Sequence, residues 1–184
     1  MQPRNWHPLL VLLHWVTVAL IAVQYGLSRL MGDETRDLLS RFALYQWHKS
    51  FGLTLAGLVL LRLAARRLLP APASLPMPRW QYIAAATVQG ALYLCLLALP
   101  VTGFVMAAAA PIQIPTLFFG LFSVPHPIGT DQGIYDAMLR AHAMLFDIMA
   151  ALAFIHAGAA LLHQFVLKDG LMQRIWFARS QSLR

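Results

Sequence analysis

Four long apolar stretches constrain this chain more than anything else in it. They fall at about residues 8–30, 41–65, 80–109 and 135–167. Each exceeds the roughly 20 residues of helix that cross a hydrocarbon core about 30 Å thick. The segment Asn5–Ser28 has no Asp, Glu, Lys or Arg; the second stretch holds Lys49 and Arg62 near its ends, and Asp147 is the only mid-span charge of the fourth. Lipid offers no partner for free backbone groups, and the alternation of a β-barrel strand is absent, so each stretch reads as a helix. The predicted fold is an all-α membrane protein, a single transmembrane domain over residues 1–184 built as a four-transmembrane-helix bundle. Charged residues make up only 11% of the chain and hydrophobic ones 59%, whereas soluble domains carry about a quarter charged residues.

The net charge of +7 does not point to nucleic acid, because the cations flank apolar runs instead of forming one polar face. Arg4, Arg62, Arg66, Arg67, Arg79, Lys168, Arg174, Arg179 and Arg184 belong to one side; Arg29, Arg36, Arg41, Lys49 and Arg140 belong to the other, offset by Asp33, Glu34, Asp37, Asp131 and Asp136. The bias predicts both termini cytoplasmic, in a multi-pass protein of a bacterial inner membrane. The first stretch is too long for the core of a signal peptide and should stay as a helix. Four prolines in RRLLPAPASLPMPR forbid helix between the second and third stretches. The segment from about Pro111 to Gly133 is apolar yet broken by prolines. It predicts a structured outer cap that could include a short re-entrant or interfacial helix. Cys95, the single cysteine, reads as an inert buried thiol, with no disulfide or CxxC available.

Seven histidines punctuate these stretches, and a titratable group at membrane depth is a functional hypothesis by default. His142 and His156 are fourteen residues apart, a rise of about 21 Å and a turn some 40° short of four full rotations. They share a face at two depths. Depth then selects partners: His48 with His142 at the outer level, His14 with His156 at the inner. Two facing imidazole pairs on different helices are what two bis-histidine haem b groups require in a bundle core. With both axial positions filled, such haem transfers electrons and does not bind oxygen. A histidine-lined cation transporter is the competing reading, but no carboxylate or second histidine lies one turn from the paired positions.

Other residues stay open at this stage. Arg62, fourteen residues after His48, sits at the inner level, either as a partner for a haem propionate or as a snorkelling arginine. His163, on the face of His156, could hydrogen-bond a quinone and relay its proton, or be an interfacial polar group. His7 reads as an interface residue, and His126 as a residue near the approach to the outer haem. Arg36, Arg41, Lys49 and Arg140 ring the outer entrance. They form either a positive funnel for an anion or ordinary helix-end solvation. Pro100 with Gly103 predicts a kink in the third helix, and small residues around His156 leave room for close packing or a flat macrocycle. No GxGxxG or P-loop is present, which argues against direct use of a nicotinamide nucleotide.

The residues HW (His14, Trp15), WHKSFG (His48), YLCLLALPVTG, the His142–His156 pair and a downstream His163 with KDG together resemble the bacterial cytochrome b561 family over nearly the whole chain. The resemblance implies a four-helix membrane dihaem protein with His14, His48, His142 and His156 as haem ligands and His163 at a ubiquinone site. It further implies an oxidoreductase of the superoxide oxidase type, taking electrons from superoxide in the periplasm and reducing ubiquinone. Other relatives serve as haem-carrying electron-transfer subunits for a separate dehydrogenase, hydrogenase or periplasmic partner. Some relatives carry a further histidine in the third helix, where Gln89 stands here; it is not one of the four ligands. The outer loop is apolar and proline-rich, a departure that bears on the electron donor.

Overall fold

The computed structural model describes residues 5–176, so Arg4, Arg179 and Arg184 of the charge argument lie outside the described residues. Four helices dominate: α1 (Pro8–Met31), α2 (Leu38–Leu68), α3 (Arg79–Ala109) and α4 (Gln132–Leu162). A π-helical turn, His163–Leu167, prolongs α4, and a 3-10 turn, Met172–Ile175, follows. α1, α3 and α4 with its extension are long and apolar enough to cross a membrane. α2 has the length, 31 residues, but carries Arg41, Lys49, Arg62, Arg66 and Arg67 within it.

The helix starts follow from local chemistry. His7 caps α1 by accepting the Leu9 amide on Nδ1 at 3.2 Å, with Pro8 in the first position where its missing N–H costs nothing. Asp37 caps α2 by accepting the Ser40 amide at 2.9 Å, which starts that helix three residues before the predicted Arg41. Asp131 caps α4 in the same way through Ile134 at 2.9 Å. α3 runs as continuous helix through Pro100.

The packing makes two antiparallel hairpins. α1 lies along α2 and α3 along α4, with α2 against α3 joining them. Leu55, Val59, Cys95, Leu96, Leu99 and Met149 form the central core, and Cys95 is buried there as a free thiol. A smaller cluster, Leu10, Leu13 and Ala65, closes one end. At that end the Trp6 amide donates to the Arg174 carbonyl, and the Trp15 indole N–H to the Ile175 carbonyl at 3.0 Å. The residues flanking α1 and following α4 therefore share one end of the bundle. Large apolar side chains elsewhere face outward, Phe154 and Leu94 among them, as lipid-facing positions do.

The cap after α3 corrects one expectation. No helix forms there. An antiparallel hairpin does, β1 (Thr116–Phe118) with β2 (Phe122–Val124). Pro111, Pro115, Pro125 and Pro127 bracket the segment and deny a helix its donors. Phe119 (φ 49°) and Gly120 (φ 73°) take left-handed conformations that reverse the chain. Glycine adopts that conformation freely; Phe119 is held in it by the rings of Phe51 and Trp47, at 5.2 and 5.7 Å, and by donating its amide to Ser50 Oγ.

Candidate haem-binding site

The seam between the two hairpins holds the four histidines. At one level the His48 and His142 rings lie 6.3 Å apart between centres, at 70° to each other. At the other, His14 and His156 lie 6.3 Å apart at 72°. These separations can be tested against a bridging metal. Two metal–imidazole bonds of about 2 Å, with each nitrogen roughly 1.1 Å from its ring centre, put two histidines on either side of one metal about 6.2 Å apart, close to both observed separations. Among the described residues no group of three or more His, Cys, Asp or Glu could hold a metal ion. A metal at either pair would therefore have two protein ligands and would need its remaining ones from a bound group. A macrocycle with an iron at its centre supplies that set.

The outer pair is held by its surroundings. His142 Nδ1 lies 3.1 Å from the Leu99 carbonyl and 3.1 Å from Thr102 Oγ1. A carbonyl only accepts, so Nδ1 carries the proton and Nε2 keeps its lone pair. Thr102 in turn donates to the Ala98 and Leu99 carbonyls at 3.0 Å. Gly103 gives the ring its room, because a Cβ there would stand 3.1 Å from His142 Cε1. On the facing hairpin, Gln24 reaches from α1 to donate to the His48 carbonyl at 3.0 Å, and Gly52 clears space for that amide.

The hairpin is bolted to α2 around His48. Gln46 donates to the Pro115 carbonyl and accepts the Leu117 amide; Lys49 donates to Ile114; Ser50, 1% exposed, donates to Leu117 and accepts from Phe119. His126 pairs its Nε2 with Thr116 Oγ1 at 3.0 Å and stacks edge-on to Phe104. Burial, and then the Lys49 ammonium, hold its pKa below the usual histidine value. Three of the four cations expected at the outer entrance are engaged locally: Arg36 with Asp33, Arg41 with the Met31 carbonyl, Lys49 with the cap.

The inner pair is barer. His14 Nδ1 is buried without a hydrogen-bond partner, as is His48 Nδ1 in the outer pair. Trp15 meets His14 edge-on at 5.2 Å. Arg62 bears electrostatically on both inner rings, and its guanidinium lies 5.6 Å from the Tyr93 ring centre.

His163 opens the π-helical turn beyond His156. Its Nδ1 lies 2.5 Å from Asp169 Oδ2, and Asp169 Oδ1 accepts the Leu171 amide at 3.0 Å. Burial works to raise the Asp169 carboxyl, but the bonds from His163 and Leu171 outweigh it and hold the group below the usual carboxylate range. Asp169 entered the sequence reading only as part of KDG, with no role given to it. It stands six residues after His163, a spacing that shares no α-helical face, and only the π turn and the left-handed Lys168 (φ 51°) fold it back.

Comparisons with known proteins show the family. The family described as prokaryotic cytochrome b561 matches residues 5–178. The chain is 28% identical over 167 residues to cytochrome b561 homolog 1 of Escherichia coli (strain K12), covering 90% of this chain and 93% of that protein. It is 31% identical over 134 residues to cytochrome b561 homolog 2 of the same organism, covering 70% and 68%. It is 26% identical over 164 residues to the probable superoxide oxidase CybB of Yersinia pestis, covering 89% and 90%. The chain belongs to the prokaryotic cytochrome b561 family and is a multi-pass membrane protein of b-type haem electron transfer.

Proposed function

We propose that this chain carries two haem b groups, one on His48 and His142 and one on His14 and His156, and moves electrons between a periplasmic donor and the quinone pool. The observation that carries the reading is the pair of 6.3 Å histidine separations on facing helices. Bound haem would supply reversible one-electron carriage at each level. The protein would supply the histidine nitrogens that hold each group, the hydrogen bond that His142 Nδ1 donates to the Leu99 carbonyl and that sets the His142 tautomer, and the cation of Arg62 for an inner propionate. The bundle crosses a bacterial inner membrane four times with both termini cytoplasmic. Position supports α2 as the fourth span, since it lies between α1 and α3. The shared end of Trp6 and Arg174 supports both termini on one side, and the cation bias supports the cytoplasm.

The most specific form of the proposal is a superoxide:ubiquinone oxidoreductase. Superoxide gives electrons at the outer pair, and ubiquinone is reduced near His163. The hydrogen bond to Asp169 engages Nδ1 of that histidine, leaving Nε2 as the nitrogen that can meet a quinone oxygen. The alternative is an electron-transfer subunit that docks a separate dehydrogenase, hydrogenase or periplasmic protein. The outer hairpin favours it, because Leu121 and Phe122 at its tip are 78% and 57% exposed.

An optical spectrum tests the haem assignment. The reduced, purified protein is expected to show the sharp α-band of low-spin b-type haem, and a sample without it sinks the reading. A steady-state assay with superoxide and a ubiquinone analogue then separates the two forms. Rapid quinone reduction by the isolated chain supports the oxidoreductase; activity only with an added redox partner supports the subunit.

A further inference from the structure

We propose that Arg62 and Tyr93 together receive one propionate of the inner haem. The inference rests on the haem reading above and adds to it a second residue. Two groups here lack what their chemistry requires. Arg62 makes no ion pair among the described residues, although a cation at membrane depth is costly without one. The Tyr93 hydroxyl is buried with no hydrogen-bond partner. The guanidinium lies 5.6 Å from the Tyr93 ring, so one anion can answer both.

Depth brings both residues to the inner pair. Tyr93 precedes Gly103, which abuts His142, by ten residues of α3, a rise of about 15 Å. His156 lies fourteen residues from His142 along the antiparallel α4, about 21 Å away. The Tyr93 Cα is therefore within about 6 Å of the inner level, and helical side chains lean toward the amino end of their helix, which for α3 is the inner end. Arg62 stands at that same level, fourteen residues after His48, and its guanidinium lies against Tyr93. Asp147, the mid-span acid, lies on the exposed face of α4 and cannot serve. No carboxylate of the described residues pairs with Arg62, and a haem brings two.

The test uses the purified, haem-loaded protein with Tyr93→Phe, which deletes one oxygen, Arg62→Gln and Arg62→Lys. The readouts are redox titration of each haem and the propionate bands in reduced-minus-oxidised infrared difference spectra. Arg62→Gln is expected to shift the inner haem's reduction equilibrium about tenfold toward the oxidised form, 59 mV for a one-electron couple. Tyr93→Phe should shift it about threefold in the same direction and move a propionate band, while Arg62→Lys keeps most of the wild-type value. The outer haem should not move. Tyr93→Phe with unaltered inner potential and bands overturns the proposal, as does an equal shift of both haems in Arg62→Gln. Absence of haem from the wild-type protein is a different failure, that of the haem reading itself.

Discussion

The two histidine pairs share one separation, 6.3 Å, and differ in nearly everything around it. The outer pair is built from second contacts. Leu99 and Thr102 orient His142, Gly103 makes room for it, Gln24 pins the backbone of His48, and a hairpin closes over the top. The inner pair has Trp15 at its edge and Arg62 near it, and His14 Nδ1 has no partner. Hydrogen bonds fix the His142 ring before anything binds, whereas the His48 ring, like that of His14, has no partner for its Nδ1. The inner rings depend more on helix packing and on the bound group. Contacts behind a ligand commonly change metal affinity 10–100-fold, so the two sites should answer differently to substitution.

The largest expected effect breaks the pairing itself. His142→Ala or His48→Ala should remove the outer haem, roughly half of the α-band, and spare the inner one, whereas His14→Ala or His156→Ala should do the reverse. Equal loss of both haems from either substitution would undo the division by depth. Gly103→Val should come next. A Cβ there meets His142 at 3.1 Å, so the outer haem should be retained several-fold less well while the inner band persists. Thr102→Val keeps the shape and deletes the hydroxyl beside Nδ1. Its outer haem should bind about tenfold more weakly, read as haem loss to an apoprotein acceptor.

Smaller effects sharpen the contrast at the two ends. His126 has a depressed pKa in the cap, so the fold binds fewer protons there than the unfolded chain. The stability it contributes is full above the ordinary histidine pKa and is lost as pH falls below it toward the depressed one. The protection of amides in the segment 114–124, relative to their intrinsic exchange rates, should therefore fall between about pH 7 and pH 5, and His126→Gln should flatten that dependence. Protection that does not vary with pH would remove His126 from the cap's stability. At the other end, Asp169→Asn should raise the KM for a ubiquinone analogue about threefold and leave both haem spectra unchanged. Full loss of haem in that variant would show a structural role instead.

Much of this arrangement was legible beforehand for a simple reason. Apolar length reports helices in lipid, and a fixed rise per residue converts the interval between His142 and His156 into two depths. Depth then names His48 and His14 as the residues at each level. The helix ends were legible to within a few residues because Asp37, Asp131 and Pro8 act on neighbours one turn away. The cap was harder, since apolar residues between prolines fit a short helix as well as a hairpin. The left-handed Phe119 that decides for the hairpin is held by Trp47, Phe51 and Ser50, about seventy positions earlier in the chain.

What the sequence determined by itself is therefore what depends on local spacing: the long apolar helices, the levels of the four histidines, and the arginine beside the inner pair. The tertiary structure alone decided which atoms meet. Gly103 against His142, Gln24 against His48, Asp169 against His163 and Tyr93 against Arg62 are matters of helix rotation or of a helix leaving its α-helical register. Rotation is set by the packing of every neighbour at once. No interval counted along one helix can report the angle at which another helix faces it.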